Sequence, residues 1–475
     1  MSAEAILAID QGTTATKIAR LEADGTFRVL ATRAHRQFAP RPGWAEHDAE
    51  ELVAVLSEAL AQAGDVAAFG LANQGETVVA WDATSKRPLG RAIVWHDQRT
   101  RDDVETLRAA GVEDEIRARA GLPLDCYFSA SKLAWLLRHA PEAAALRRAG
   151  RLRLGTSDAF FRDRLTGRHA TDATTASRTS LMNLATRRWD ERLCAIFGVP
   201  VELLPAIEPS AGALGEVRGV PLAASLVDQQ AALIGHGCVV PGAAKITFGT
   251  GAFALACSGE ALPAATDGLF GTVAWETPDA AAYALEGGVF SAGAAIDWAQ
   301  RLGLFRDHAE IDVFDGPSAL ERGLVFVPAL AGLGAPYFDR SAAGLFIGID
   351  GGTTPRAMAQ AVLEGVALRA AQIARAMARS VPLAAPVSID GGVTRNAYFR
   401  AFLSRALGLP VAVPAIADLT ALGTARLAAL GAGRSSSLAQ VRPPGRVVVD
   451  ASAERLPVAV LARFDDAVMR ARGWR

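Results

Sequence analysis

Four short segments carry residue types whose spacing suits them to chemistry. The first is Asp10-Gln11-Gly12-Thr13-Thr14-Ala15-Thr16-Lys17. An acid ends an apolar run, and a Gly/Thr turn follows. Backbone N–H groups and hydroxyls in such a turn hold phosphate oxygens, and Lys17 on the returning segment adds positive charge. The second, Phe248-Gly249-Thr250-Gly251-Ala252-Phe253, repeats that chemistry in the other half of the chain. The third, Asp390-Gly391-Gly392-Val393-Thr394-Arg395-Asn396, puts two glycines between an apolar run and a helix. Glycines there allow close approach of a flat ring or a phosphate, and a helix N-terminus favours anions. Taken singly, each is also an ordinary hairpin or strand-to-helix turn. Two Gly-Thr turns in two similar halves point to one nucleotide held from opposite sides. Neither matches the Gly-x-x-x-x-Gly-Lys-Ser/Thr loop. The fourth is Asp228, heading the apolar run Gln229-Gln230-Ala231-Ala232-Leu233. It is either a helix N-cap or a general base at the cleft end of a helix.

These residues need elements to position them. The start reads as strand, turn, strand, with a third strand over Thr26–Thr32. Asp48 with Glu51 predicts a capping box and a helix to about Gly64. Buried strands are expected at Ala67–Asn73 and Glu76–Asp82, then a long polar helix from Thr100 and further helices at Ser131–His139 and Pro141–Gly150. The second half repeats the theme. A strand pair turns at Gly249-Thr250-Gly251, and a hairpin covers Thr272–Gly287. A helix follows at Ser291–Leu302, then a strand at Val325–Leu330. Thr354-Pro355 opens a long helix to about Arg379 that is apolar on more than one face, suiting burial between domains or subunits. Strands at Pro386–Gly391 and Val411–Pro414 alternate with helices at Thr394–Leu407 and Thr420–Leu430. Antiparallel hairpins followed by alternating strands and helices, twice over, predict an α/β protein of two similar domains. They would divide near Gly237–Gly242, as 1–240 and 241–475, with a cleft between them.

Composition fits a soluble globular protein with a large core. The chain has 475 residues, is 51% hydrophobic, and sets 50 acids against 49 bases. That balance supplies no strong field for nucleic acid or an anionic membrane. No uncharged apolar run reaches the ~18 residues of a membrane helix. Cys126, Cys194, Cys238 and Cys257 show no Cys-x-x-Cys spacing and read as free thiols of a cytosolic protein. The histidines show no metal-ligand spacing. Arginine has nearly displaced lysine, leaving only Lys17, Lys86, Lys132 and Lys245.

Together the motifs resemble the FGGY family of carbohydrate kinases, and within it the glycerol kinases. The Asp10 turn, Gly43-Trp44-Ala45-Glu46-His47-Asp48, Asn73-Gln74-Gly75-Glu76-Thr77 and Trp95-His96-Asp97-Gln98-Arg99-Thr100 carry the likeness. So do Tyr127-Phe128-Ser129-Ala130-Ser131-Lys132, Thr174–Thr179, Asp228-Gln229-Gln230, Gly332–Tyr337, the Gly-Thr-Gly and Asp-Gly-Gly segments, and Thr420-Ala421-Leu422-Gly423. The resemblance runs in order over almost the whole chain. It implies two actin-like ATPase (ribonuclease H-like) domains with ATP in the cleft between them. By similarity, Thr13, Thr14, Lys17, Gly249 and Thr250 contact phosphates; Gly293, Gly392 and Asn396 face the nucleoside; and Asp10 holds Mg²⁺ through water. Asp228 resembles the general base. Glu76, Trp95, Tyr127, Asp228, Gln229 and Phe253 resemble the wall of a small-polyol or sugar site. The family also suggests a cytoplasmic homodimer that transfers phosphate to a primary hydroxyl.

Three positions depart from the pattern. An Arg-Glu pair that grips the polyol reads Gly75-Glu76 here. A charged hydrogen bond contributes ~1.5–3 kcal/mol, so its loss weakens a small triol by roughly 10–150-fold. Another basic group fills the gap, a longer polyol or sugar occupies it, or the chain handles glycerol poorly. Asp297 stands where a Gln is usual beside the nucleotide, and Ala357 departs from the second family signature. The Gln74 segment lacks the Gln-Met-His run of xylulose kinases. A polyol is therefore the first expectation and a ketose such as a pentulose the second. A non-catalytic ATP sensor is the third, with only the missing Arg in its favour.

Overall fold

The computed structural model describes residues 4–264, 268–438 and 445–475. Two mixed sheets dominate it. In the first, Ile6–Gln11, Ala15–Leu21 and Phe27–Ala34 form an antiparallel meander. Ala68–Asn73 then joins Ile6–Gln11 in parallel, and Val220–Val227 joins Ala68–Asn73 in parallel. The second sheet repeats this order. Ala244–Phe248 and Ala252–Gly259 form the Gly-Thr hairpin, and Ala281–Val289 pairs antiparallel with the latter. Val387–Gly391 and Val411–Pro414 extend the sheet in parallel. A small sheet of Val78–Asp82, Ala92–Ile93 and Leu152–Thr156 with two short strands completes the first half. The predicted α/β architecture with a repeated unit is the one observed.

Parallel strands covered on both faces read as continuous apolar runs. Ala68–Asn73 is buried at every residue, which explains its sequence Ala-Phe-Gly-Leu-Ala-Asn. On one face of it lies the helix Leu419–Gly431, which belongs to the second half of the chain yet packs on the first sheet. That helix crosses Asp228–Gly235 at glycines on both sides. A Cβ on Gly423 would sit 1.8 Å from the Ala231 carbonyl oxygen, and one on Gly235 would sit 1.9 Å from that of Leu419. Only glycine permits this approach, and it fixes the helix that begins with Asp228.

Several expectations shift locally. Asp48 caps Glu50 and Glu51 N–H, but the Glu51 carboxylate pairs with Arg36, so only half of the capping box forms. The long polar helix is two, Arg101–Ala109 and Glu113–Ala120, broken where Gly111 takes positive φ. The helix expected from Thr394 starts at Ala397 after a single 3-10 turn. Pro355–Ala378, capped by Thr354, is buried almost all round, but inside the second half: it packs on Ala397–Leu407, Gly293–Arg301 and Val325–Val327. Its several apolar faces match those neighbours. All four cysteines are free. Among the described residues, no helix is long and apolar enough to cross a membrane.

Candidate active site

The parallel strands of the first sheet end at one edge, where open α/β sheets bind ligands. Register places Asp10 beside Ala72 and Asn73 beside Val227. Asp10, the Gln74-Gly75-Glu76 segment and Asp228 therefore emerge together from three consecutive strands. Asp228 is the first residue of its helix, and Val227 holds the cap position, so the N-cap reading of Asp228 fails. Burial raises the Asp228 carboxyl to about 7, helped by the negative charges of Asp10 and Glu76. Burial likewise raises Asp10 to about 6, against the pull of Lys17.

The first Gly-Thr turn is closed by Gly12 N–H donating to the Ala15 carbonyl at 3.1 Å. Thr13 Oγ1 accepts from Trp95 Nε1 at 2.9 Å, which ties this turn to the Trp95 segment. Thr14 is exposed beside it. Lys17 lies opposite Asp10 in the hairpin, and its ammonium pairs with Asp418 at 2.7 Å. Burial opposes the Lys17 charge, but Asp418, Asp10 and Asp390 together raise its pKa.

The second turn meets the helix Gly293–Arg301. Gly293 N–H donates to Gly249 O at 2.9 Å, and Ala292 and Ala294 N–H donate to Thr250 O. A Cβ on Gly293 would stand 2.6 Å from Gly249 O. Gly391 adopts φ 103°, with Phe248 O 1.9 Å from where its Cβ would lie. These contacts bring Gly249, Thr250, Gly293 and Gly392 into one region. Asn396 is nearby in sequence, but both ends of its amide are engaged. Oδ1 accepts from Phe399 N–H and Nδ2 donates to Ile311 O, each at 2.7 Å. The structure thus gives Asn396 a helix-capping duty. Asp297 is exposed on the next turn of the Gly293 helix.

Trp95 and Tyr127 meet edge to face, with centroids 5.5 Å apart. The Tyr127 loop is anchored by fully buried Lys132, which donates to the carbonyls of Cys126, Tyr127 and Phe128 at 2.9, 2.6 and 3.0 Å. Burial lowers its pKa to about 8. Gln229 Oε1 accepts from Lys245 Nζ at 2.6 Å, and the same ammonium donates to Thr247. Phe253 lies directly across the hairpin from Thr247. Glu76 is buried and accepts from Arg178 Nε at 2.6 Å.

Arg178, Glu286, Lys245 and Asp418 were not singled out for roles by sequence. Arg178 lies in the Thr174–Thr179 motif, where one charged residue among small ones was the available signal. Lys245 was visible as one of four lysines.

For Mg²⁺, the donor chemistry fits a cation held mainly by a triphosphate. Such a cation keeps several waters and takes one or two carboxylates. Asp10 offers one, and its raised pKa marks a buried negative charge that a cation would stabilise. Among the described residues, no cluster of three or more His, Cys, Asp or Glu side chains forms an all-protein metal cage.

Two family models match the chain. Residues 5–235 match the FGGY family of carbohydrate kinases, N-terminal domain, and residues 244–432 match its C-terminal domain. The chain is 41% identical to a glycerol kinase of Aromatoleum aromaticum over 99% of both proteins. It is 40% identical to a glycerol kinase of Citrifermentans bemidjiense over 99% of this chain and 97% of that one. The glycerol kinase of Plasmodium falciparum with ADP superposes at a TM-score of 0.89 and 30% identity, covering 99% of this chain and 98% of that one. A xylulose kinase of Rhodospirillum rubrum shares the fold at a TM-score of 0.87 and 24% identity, covering 98% of each chain. With both domain models matched in order over a repeated α/β fold, the chain belongs to the FGGY family of carbohydrate kinases, phosphotransferases with an alcohol group as acceptor.

Proposed function

We propose that this enzyme transfers the γ-phosphoryl group of ATP to a primary hydroxyl of a small polyol, with glycerol first among candidates, and that Asp228 is the general base. The observation that carries the reading is the placement of Asp228. It heads a helix fixed by glycine packing, beside Asp10 and Glu76, with its carboxyl raised to about 7. A base poised near neutral pH suits proton removal from an alcohol. Relatives of about 40% identity that are named glycerol kinase support the acceptor class.

In this mechanism the polyol lies against Trp95, Tyr127 and Phe253, its hydroxyls held by Glu76, Asp228 and Gln229. Asp228 accepts the proton as the alcohol oxygen bonds to the γ-phosphorus. The bond to the β–γ bridging oxygen breaks, and ADP leaves. Catalysis here is mostly alignment and charge stabilisation. Thr13, Thr14, Gly249 and Thr250 would supply hydroxyl and backbone donors from both halves, and Lys17 a charge. Gly293 and Gly392 would border the nucleoside; Asn396 would support that region through its cap. Bound Mg²⁺, held by Asp10 through water, would neutralise phosphate charge. Closure of domains 1–240 and 241–475 would exclude water. The absence of a membrane-crossing helix among the described residues is consistent with a cytoplasmic setting.

Gly75 bears on the alternative of a longer polyol or ketose. A Cβ at position 75 would lie 3.1 and 3.2 Å from the two methyls of Val227. The room beside Gly75 is therefore filled, which favours a short acceptor. The test is ADP release with Mg-ATP across glycerol, tetritols, pentitols and ketopentoses, with Asp228→Asn as control. Glycerol should give the highest kcat/KM, lost in the variant. Preference for ketopentoses would reverse the acceptor assignment. Absence of turnover with every acceptor in the panel would move the non-catalytic sensor to the front.

A further inference from the structure

Arg178 sits behind the acceptor wall and belongs to neither phosphate turn. It follows the short helix Ala173–Ala176, and its side chain is 1% exposed. Nε donates to Glu76 Oε1 at 2.6 Å. Nη1 and Nη2 donate to the two Glu286 oxygens at 2.6 and 3.2 Å, and Nη2 lies 3.5 Å from the Tyr127 hydroxyl. The rings of Tyr127, Phe128 and Phe270 surround the guanidinium at 5.7, 5.6 and 5.1 Å. Glu76 comes from the edge of the first sheet, whereas Glu286 lies on the Ala281–Val289 strand of the second. One guanidinium thus spans both halves at the acceptor wall.

Stability does not explain this cluster. Buried ion triads are often matched or exceeded in stability by apolar side chains of similar volume. Gly75 lies directly against this arrangement. A Cβ there would stand 3.4 Å from Arg178 Cγ as well as pressing on Val227.

The hydrogen-bond inventory has a chemical consequence. Four of the five guanidinium N–H groups are directed at Glu76, Glu286 and Tyr127. Glu76 uses Oε1 for Arg178, and among the described residues no side chain donates to its Oε2. The wall then offers mainly acceptor atoms, Glu76 Oε2 and the Asp228 carboxylate. A polyol brings the O–H donors they need. An acidic acceptor brings like charge and finds no free guanidinium fork.

We propose that Arg178 is a positioning and specificity-determining residue: it orients Glu76 toward the acceptor hydroxyls and, through its commitment to Glu76 and Glu286, restricts the acceptor to uncharged polyols. This inference rests on the polyol-kinase reading above.

The test uses the full-length protein with Arg178→Met, Arg178→Lys and Glu286→Gln. Steady-state kinetics compare glycerol with glycerate, its analogue oxidised to a carboxylate at one end. Wild type should turn over glycerol with a kcat/KM at least a hundredfold above that for glycerate. Arg178→Met should raise the glycerol KM tenfold or more while the Mg-ATP KM stays within twofold, and Arg178→Lys should recover part of the loss. Glu286→Gln, which removes one negative charge from the cluster, should raise the glycerate-to-glycerol kcat/KM ratio at least fivefold. If Arg178→Met fails to fold, Arg178→Lys decides by the same KM split. A glycerol KM within twofold of wild type in the folded Arg178 variants overturns the positioning role. An unchanged acceptor ratio in Glu286→Gln overturns the specificity role. A wild type without polyol turnover overturns the functional reading itself, which separates that failure from this one.

Discussion

Replacing Asp228 with Asn should cripple the enzyme and stabilise it. The variant keeps the shape and removes both the charge and the base. Loss of a general base lowers kcat by about 10²–10⁴-fold. The stability effect follows from the raised pKa. In the unfolded chain the carboxyl titrates near 3.8, and in the folded one at about 7. The folded state holds its proton to higher pH, so stability is lost as pH rises through that interval, and the loss is complete above about 7. At 1.36 kcal/mol per pKa unit, the ceiling is ~4 kcal/mol. Asp228 is only half-buried, and solvent screening brings the expected gain to ~1–2 kcal/mol at pH 8. At pH 5 about a third of that remains. Thermal melts of wild type and Asp228→Asn at pH 8 and pH 5, beside polyol kinase assays, read both effects. A Tm at pH 8 below that of wild type would refute the electrostatic argument. Activity within tenfold of wild type would refute the base assignment.

The wild-type kcat/KM for the polyol should fall on the acid side as pH drops through about 7, because only ionised Asp228 accepts the proton; a flat profile from pH 6 to 8 would contradict this. Asp418→Asn releases Lys17 from a half-exposed ion pair of ~0–1 kcal/mol, so the KM for Mg-ATP should fall up to about fivefold, and a rise would show that the pair positions Lys17 instead. Gly423→Ala forces the Leu419–Gly431 helix away from Ala231 and should destabilise by about 1–3 kcal/mol or more, read as a lowered denaturation midpoint. Lys132→Met removes the partner of three carbonyls behind Tyr127, one buried and two part-buried, so both stability and glycerol affinity should drop, measured by melting and by acceptor KM.

Much of the fold was legible because its signals are local. The Asp10 and Gly249 turns lie between strands whose apolar runs are plain, and Val411–Pro414 is found at the residues expected. Strand Val220–Val227 was not anticipated, although it delivers Asp228, because its buried stretch Leu222–Val227 lacks alternation and merges with the helix that follows. The C-terminal helix Val458–Ala471 was passed over too. The site divides similarly. Residues in Gly-rich turns announced themselves, whereas Arg178 and Glu286 lie 108 positions apart and meet only in three dimensions. The capping duty of Asn396, four residues beyond Gly392, likewise shows only in three dimensions, where its amide meets Phe399 N–H and Ile311 O.

The most direct test of the account is to follow the γ-phosphoryl group itself. Wild-type protein with Mg-ATP and glycerol, monitored by ³¹P NMR, should yield a phosphate monoester on a primary hydroxyl in step with ADP. ADP accompanied by inorganic phosphate alone would contradict the account.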